Sequence, residues 1–203
     1  MTKNIKKITG KDSFKKPLDG KIWYYGGMVL ALLILALYSQ TFKFDFVNWD
    51  DNVNLYENNN VINFDVKRIF TDHVIGNYNP LANFTFALEY KIVKDNPKWY
   101  HINNVLLHII CTLLIFVLMK RLGLTFFSSF LISLLFGIHP MHVESVAWIT
   151  ERKDVLFGTF YLLSLLFYIS YFKSKKNIYY LLSILLFILS LLSKFRRCPC
   201  RLL

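Results

Sequence analysis

Charge is scarce in this sequence: Asp, Glu, Lys and Arg make up 18% of the 203 residues, against 55% apolar and 17% aromatic. With a mean hydropathy of +0.38, that balance excludes the ordinary profile of a soluble enzyme. Cysteine is scarce too. Cys111 sits in an apolar run and Cys198 and Cys200 near the end, which makes neither a disulfide framework nor a zinc-ligand spacing and marks no redox compartment. There is no Walker loop, dinucleotide glycine pattern, Gly-x-Ser-x-Gly elbow or Cys-x-x-Cys pair, so the common nucleotide, hydrolase and thiol chemistries have no motif to rest on.

What is present is long apolar runs separated by charge. The net charge is +11, but the positive residues lie between the runs and not along one polar face, which disfavours nucleic acid as a partner. Five runs approach the roughly 20 residues that cross a hydrocarbon core of about 30 Å: Ile22–Ser39, Ile102–Met119, Gly123–Ile138, Val155–Phe172 and Ile178–Ser193. The chain therefore reads as an all-α, polytopic helical membrane protein with about five transmembrane helices. Lysines precede the first run as in a signal peptide, but no small-residue cleavage motif follows Tyr38, so the run reads as an uncleaved anchor.

Lysine and arginine placement orients the runs. Lys3, Lys6, Lys7, Lys11, Lys15, Lys16 and Lys21 precede the first, Lys120 and Arg121 follow the second, and Lys173, Lys175 and Lys176 follow the fourth. These fall on one side by alternation. The segments Gln40–His101 and His139–Asp154 fall on the other, where acidic residues outnumber basic ones. The reading is a cytoplasmic basic tail over residues 1–21, in contact with anionic lipid. A transmembrane domain follows over 22–193, with loops 40–101 and 139–154 facing outward, to the periplasm or lumen. A last segment over 194–203 changes abruptly from leucine-rich helix to Arg and Cys, and is expected to mark a truncation or shifted reading frame. No 34-residue period is visible.

The first outward loop is too long for a simple connector. Val66, Ile69, Phe70 and Val74 recur at helical spacing, as do Leu81, Phe84, Leu88 and Ile92 after Pro80. Either two amphipathic helices lie in the membrane interface, or a small subdomain packs the same stripes inward.

Three polar constellations stand out. Asp50 and Asp51 follow Asn48 and Trp49 shortly after the first run; adjacent carboxylates raise one another's pKa toward general-base use, bind a cation, or simply form a solvated turn. His139, His142 and Glu144, then Glu151, Arg152, Lys153 and Asp154, place seven ionisable groups in sixteen residues. That density suits an anionic headgroup, with a metal or an ordinary interfacial loop as alternatives. His101, Asn104 and His108 share one face of the second run at i, i+3 and i+7; they line a cavity under the first loop or hydrogen-bond between helices.

Taken in order, these pieces resemble the membrane half of the transmembrane and tetratricopeptide repeat-containing proteins. These form a GT-C-like branch of membrane glycosyltransferases related to protein O-mannosyltransferases. The resemblance rests on Asn48-Trp49-Asp50-Asp51, Gly76-Asn77-Tyr78-Asn79-Pro80-Leu81 and the stretch from Tyr100 to His108. It rests most specifically on His139-Pro140-Met141-His142-Val143-Glu144-Ser145-Val146-Ala147-Trp148, continuing through Glu151-Arg152-Lys153-Asp154. Asn79 departs from the basic residue that many relatives carry before Pro-Leu, and Phe195 follows Lys194 where relatives continue with proline.

The resemblance implies transfer of a sugar from a polyprenyl-phosphate donor to a hydroxyl acceptor such as a protein Ser or Thr. It places the catalytic carboxylate on Asp50 with Asp51 its neighbour. The donor-phosphate contacts fall on His139, His142, Glu144, Arg152, Lys153 and Asp154, Arg152 carrying most of the charge stabilisation. His101, Asn104 and His108 line the cavity. No cofactor is implied, and a divalent metal is left open. The alternatives are a non-catalytic anchor or scaffold of a tetratricopeptide-repeat protein, and a carrier of polyprenyl lipids.

Overall fold

The computed structural model describes residues 20–74 and 76–194. The lysine-rich tail ahead of Gly20 and the Arg- and Cys-containing stretch after Lys194, with the expectations attached to them, lie outside the described residues. Within them the chain is all-α. In order come α1 (Gly20–Tyr38), α2 (Asn59–Ile62), α3 (Val66–Thr71), α4 (Pro80–Val93) and α5 (Pro97–Arg121), then α6 (Phe126–Ile138), α7 (Val143–Ala147), α8 (Arg152–Ser174) and α9 (Asn177–Ser193). A tight turn with Gly76 at φ 72° is closed by an isolated antiparallel bridge between Val74 and Asn77.

All five apolar runs form helices, and length separates them. Continued by a 3₁₀ turn to Lys43, α1 is long and apolar enough to cross a membrane, as are α5 and α8; α6 joins α7 across a 49° bend as a fourth candidate. The 17 residues of α9 rise about 25 Å at 1.5 Å per residue, short of a full hydrocarbon core. The protein is an integral membrane protein with three to four helices long and apolar enough to span among the described residues, and a shorter apolar helix, α9.

The ends are set by local chemistry. Asn96 caps α5 by accepting from the Lys98 amide, with Pro97 at the first helical position. Thr125 caps α6 through Ser128 N, and Asp65 caps α3 through Arg68 N. Each side-chain oxygen satisfies an amide that the helix leaves unpaired.

Packing then fixes which ends lie together. The buried residues of α1, Gly26, Leu30, Ile34 and Tyr38, recur every four residues and form one ridge toward α5 and α6. At Gly26 an added Cβ would come within 2.7 Å of the Phe126 ring, and at Gly137 it would collide with the Ile34 side chain. So α1 and α6 run parallel at close range, touching at both ends. The Trp23 ring contacts Phe116 and Phe126 at one end of the bundle, while His108 contacts Tyr38 and Phe136 at the other, which sets α5 antiparallel to both. The segments after α1 and after α6 therefore emerge at the same end. On the far side α8 and α9 form a hairpin through small residues, with Ser164 Oγ donating to Ser183 O at 2.8 Å.

The long segment after α1 has its own core. Leu55, Val61, Ile69, Phe86 and Ala87 pack with Tyr100 of α5 and Ile149 from the other loop, and Phe46, Phe64 and Phe84 close around them. Ile69 and Phe84 thus follow the inward-packing alternative. The rest of the two stripes is divided: Val74 and Leu81 are half-buried, while Val66, Phe70 and Leu88 are exposed and Ile92 is 82% exposed. In α4 the buried face is Ala82, Asn83, Phe86, Ala87 and Glu89, offset from the expected Leu81, Phe84, Leu88 and Ile92 because small residues let it approach its neighbours closely.

Candidate functional site

The two loops meet at Asp51. Its Oδ1 accepts from the indole Nε1 of Trp148 at 3.0 Å and from the amide of Thr150 at 3.1 Å, and its Oδ2 accepts from the amide of Val47 at 2.9 Å. The side chain is wholly buried. Three donors take the place of the water that burial removes from it. Asp50 is different. It is half-buried, and neither of its carboxylate oxygens accepts a bond among the described residues; its backbone carbonyl takes the Asn54 side-chain amide at 2.8 Å. A turn of π-helix at Asn52–Tyr56 leads away from the pair. The Tyr56 hydroxyl is pushed above its ordinary pKa, first by burial and then by the negative charges of Glu57, Asp51 and Asp45.

Arg152 lies at the start of α8, 2% exposed. Its Nε donates to Asn104 Oδ1 at 2.7 Å, its Nη1 to Glu89 Oε2 at 2.5 Å and its Nη2 to the Tyr100 carbonyl at 3.0 Å. The guanidinium also lies over the Phe86 ring, 4.4 Å from its centroid. The network closes on itself: Asn103 donates to Glu89 Oε1 at 2.7 Å, and Asn104 donates to the carbonyls of Trp148 and Ile149. Arg152 is therefore the post that ties α4, α5 and the 148–150 turn together, with its charge already balanced by Glu89. Lys153 likewise pairs with Glu151 at 2.7 Å.

The short helix α7 divides the histidine motif between two hollows. Glu144 faces a cleft of about 520 Å³ shared with Trp49 and Trp148. His142 faces a cavity of about 610 Å³ that also holds Ser145, Asp154, Lys194 and, from α5, His108. There Asp154 is ion-paired with Lys194 and accepts from Ser145 Oγ. His139 is exposed and caps the turn through Met141 N. The polar face of α5 is shared out in the same way. His108 bonds the Gly137 carbonyl at 2.9 Å beside that cavity. Asn104 belongs to the Arg152 network, and His101 is buried under the first loop, beside Phe44. Among the described residues no three His, Cys, Asp or Glu side chains come close enough to hold a metal ion.

Glu89, Trp148, Thr150 and Lys194 were not among the site residues expected from the sequence. Glu89 did carry a signal: it is a lone acid in an apolar helix, with no basic residue three or four positions away to pair with. Such a charge must find its partner on another element.

These features define a class: an all-α integral membrane protein in which an acidic first loop is clamped onto a second loop at one end of the helix bundle. No family model and no solved structure matches the chain. Curated relatives do. Protein O-mannosyl-transferase TMTC2 from Mus musculus and from Homo sapiens are each 35% identical over 159 residues, covering 73% of this chain and 19% of the relative. Protein O-mannosyl-transferase F38B6.6 from Caenorhabditis elegans is 38% identical over 120 residues, 58% of this chain and 17% of the relative. The chain belongs to the TMTC family of O-mannosyltransferase-related proteins. It spans about a fifth of the length of the curated relatives it matches.

Proposed function

We propose that the protein is a membrane glycosyltransferase that moves a sugar, mannose by the relatives' names, from a polyprenyl-phosphate donor to a hydroxyl acceptor on protein. The clamped loops then face outward, opposite the lysine-rich tail. The observation that carries this reading is the division of labour in the acidic pair. Asp51 spends Oδ1 holding the two loops together and Oδ2 on the Val47 amide of its own loop, which leaves Asp50 as a carboxylate with open lone pairs, fixed by its neighbour at the loop end of the bundle. That is the condition a general base needs.

In the reaction Asp50 takes the proton of the acceptor hydroxyl, the freed oxygen attacks the anomeric carbon, and the bond from that carbon to the phosphate oxygen breaks. The lipid phosphate leaves with the bonding pair. The lipid phosphate is assigned to the 610 Å³ cavity, where Lys194, ion-paired with Asp154, supplies the positive charge and His142 a hydrogen-bonding ring nitrogen. Arg152 contributes by fixing the 148–150 turn through Asn104. The full set of internal bonds on Arg152 is also what a non-catalytic scaffold would show, so activity has to separate the two.

Membranes carrying the protein, supplied with polyprenyl-phosphate-linked mannose and a Ser- and Thr-containing peptide, test the reading. Mannosylated peptide and free polyprenyl phosphate are expected in equal amounts. Transfer from a nucleotide sugar alone, or none from either donor, overturns it.

A further inference from the structure

Directly after α1, the turn from Phe44 to Trp49 exposes a set of apolar side chains: Trp49 is 75% exposed, and Phe44 and Val47 about half. After α6, the turn at Pro140–Val143 does the same, with Met141 76% exposed and Val143 half exposed. The two sets are one surface. Phe44, Val47 and Trp49 face Val143, Ala147 and Trp148 across the 520 Å³ cleft, with Glu144 its one charged residue, and the Trp148–Asp51 bond fixes the two turns against each other. Such a patch is costly in water and needs a cover.

Its position says what the cover is. Phe44 begins one residue beyond the spanning segment Gly20–Lys43, and Met141 and Val143 lie in the second arm of the bent pair that starts at Phe126. Because α1 and α6 run parallel and touch at Ile34 and Gly137, both turns leave the bundle at the same end. The patch is therefore continuous with the lipid-facing surface of the spans. It is rich in Trp and Phe, with Lys43 at its edge, the residue types that sit at the level of lipid headgroups.

We propose that these two turns form a single interfacial anchor, immersed in the headgroup layer at the loop end of the bundle, which holds the loop bearing Asp50 at the bilayer surface. The occupant of the cleft is membrane phospholipid. The anchor is a property of the loops and does not depend on sugar transfer.

Spin labelling of the intact chain in phosphatidylcholine vesicles tests it. Cys111 is replaced by Ala and Cys198 and Cys200 by Ser, and single cysteines are introduced by Met141→Cys, Trp49→Cys and Asn59→Cys. Asn59 is exposed in the first loop and is not among the residues that line the cleft. Each labelled site is read for collisions with oxygen, which concentrates in lipid, and with a water-soluble nickel chelate. Labels at 141 and 49 are expected to favour oxygen, and the label at 59 to favour the chelate. Chelate-dominated collisions at 141 and 49 overturn the proposal, as does low access to both reagents, which would mean that protein covers the patch. Oxygen-dominated collisions at 59 also overturn it, because the whole loop would then lie in lipid. The Met141 label leaves the Asp51 clamp intact, so the result stands even where Trp49→Cys fails to fold.

Discussion

Asp51 and Trp148 stand 97 residues apart in the chain and are joined by one bond, indole nitrogen to carboxylate oxygen at 3.0 Å. Through it the position of Asp50 is decided by a residue in a different loop. Trp148 is half-buried beside the cleft, and its indole ring supplies a donor that an aliphatic side chain of the same bulk would lack.

The clamp has a measurable strength. Asp51→Ala leaves the Trp148 indole and the Thr150 amide without their acceptor, and a buried donor left unpaired costs about 1–3 kcal/mol. The expected outcome is a lower unfolding midpoint in detergent and new protease cuts between Gln40 and His101, with the helical signal of the spans retained. An unchanged midpoint and digestion pattern would mean that the bond holds nothing.

A second expectation concerns Arg152 and Glu89, which pair from positions 63 residues apart. Arg152→Leu alone strands a buried carboxylate and is expected to destabilise by about 3–5 kcal/mol, whereas the double replacement by Leu at both positions recovers a large part of that loss. Thermal unfolding of the four proteins in a double-mutant cycle measures it. Additive losses would show that the two charges do not act on each other.

The close approach of α1 and α6 gives a third. Gly137→Ala drives a methyl into Ile34 and comes within 3.2 Å of Thr112 Cγ2, an overpacking that costs about 1–3 kcal/mol. Combining it with Ile34→Val is expected to restore part of the midpoint. If Gly137→Ala is neutral by itself, the two helices are further apart than described.

The helices were legible because apolar length is written directly in the sequence; the runs at Gly123 and Ile178 read as spans with the rest, but α6 is long enough only together with α7, and α9 has 17 residues. The face of α4 was not. Beside a membrane a stripe of Leu and Ile is as stable against lipid as against protein, so Leu88 and Ile92 face outward while Ala82 and Ala87 make the close contacts. The acidic pair was legible as a pair only. Asp50 and Asp51 are chemically identical, and the difference between them comes from side chains about 100° apart on a helical turn, one of which meets Trp148. Arg152 reads in sequence as a free cation for phosphate. Its neutralising partner, Glu89, lies in another helix, and no local spacing rule connects the two.

The central claim is that Asp50 acts on substrate while Asp51 acts on structure, and comparing two conservative variants tests it most directly. Asp50→Asn and Asp51→Asn are to be assayed side by side for mannosyl transfer and for unfolding midpoint. The account predicts that Asp50→Asn loses about 10²–10⁴-fold in transfer rate, the usual worth of a general base, with its midpoint unchanged. It predicts that Asp51→Asn lowers the midpoint, with activity falling only as the folded fraction falls. Full transfer by Asp50→Asn, or loss of transfer by Asp51→Asn at an unchanged midpoint, would contradict it.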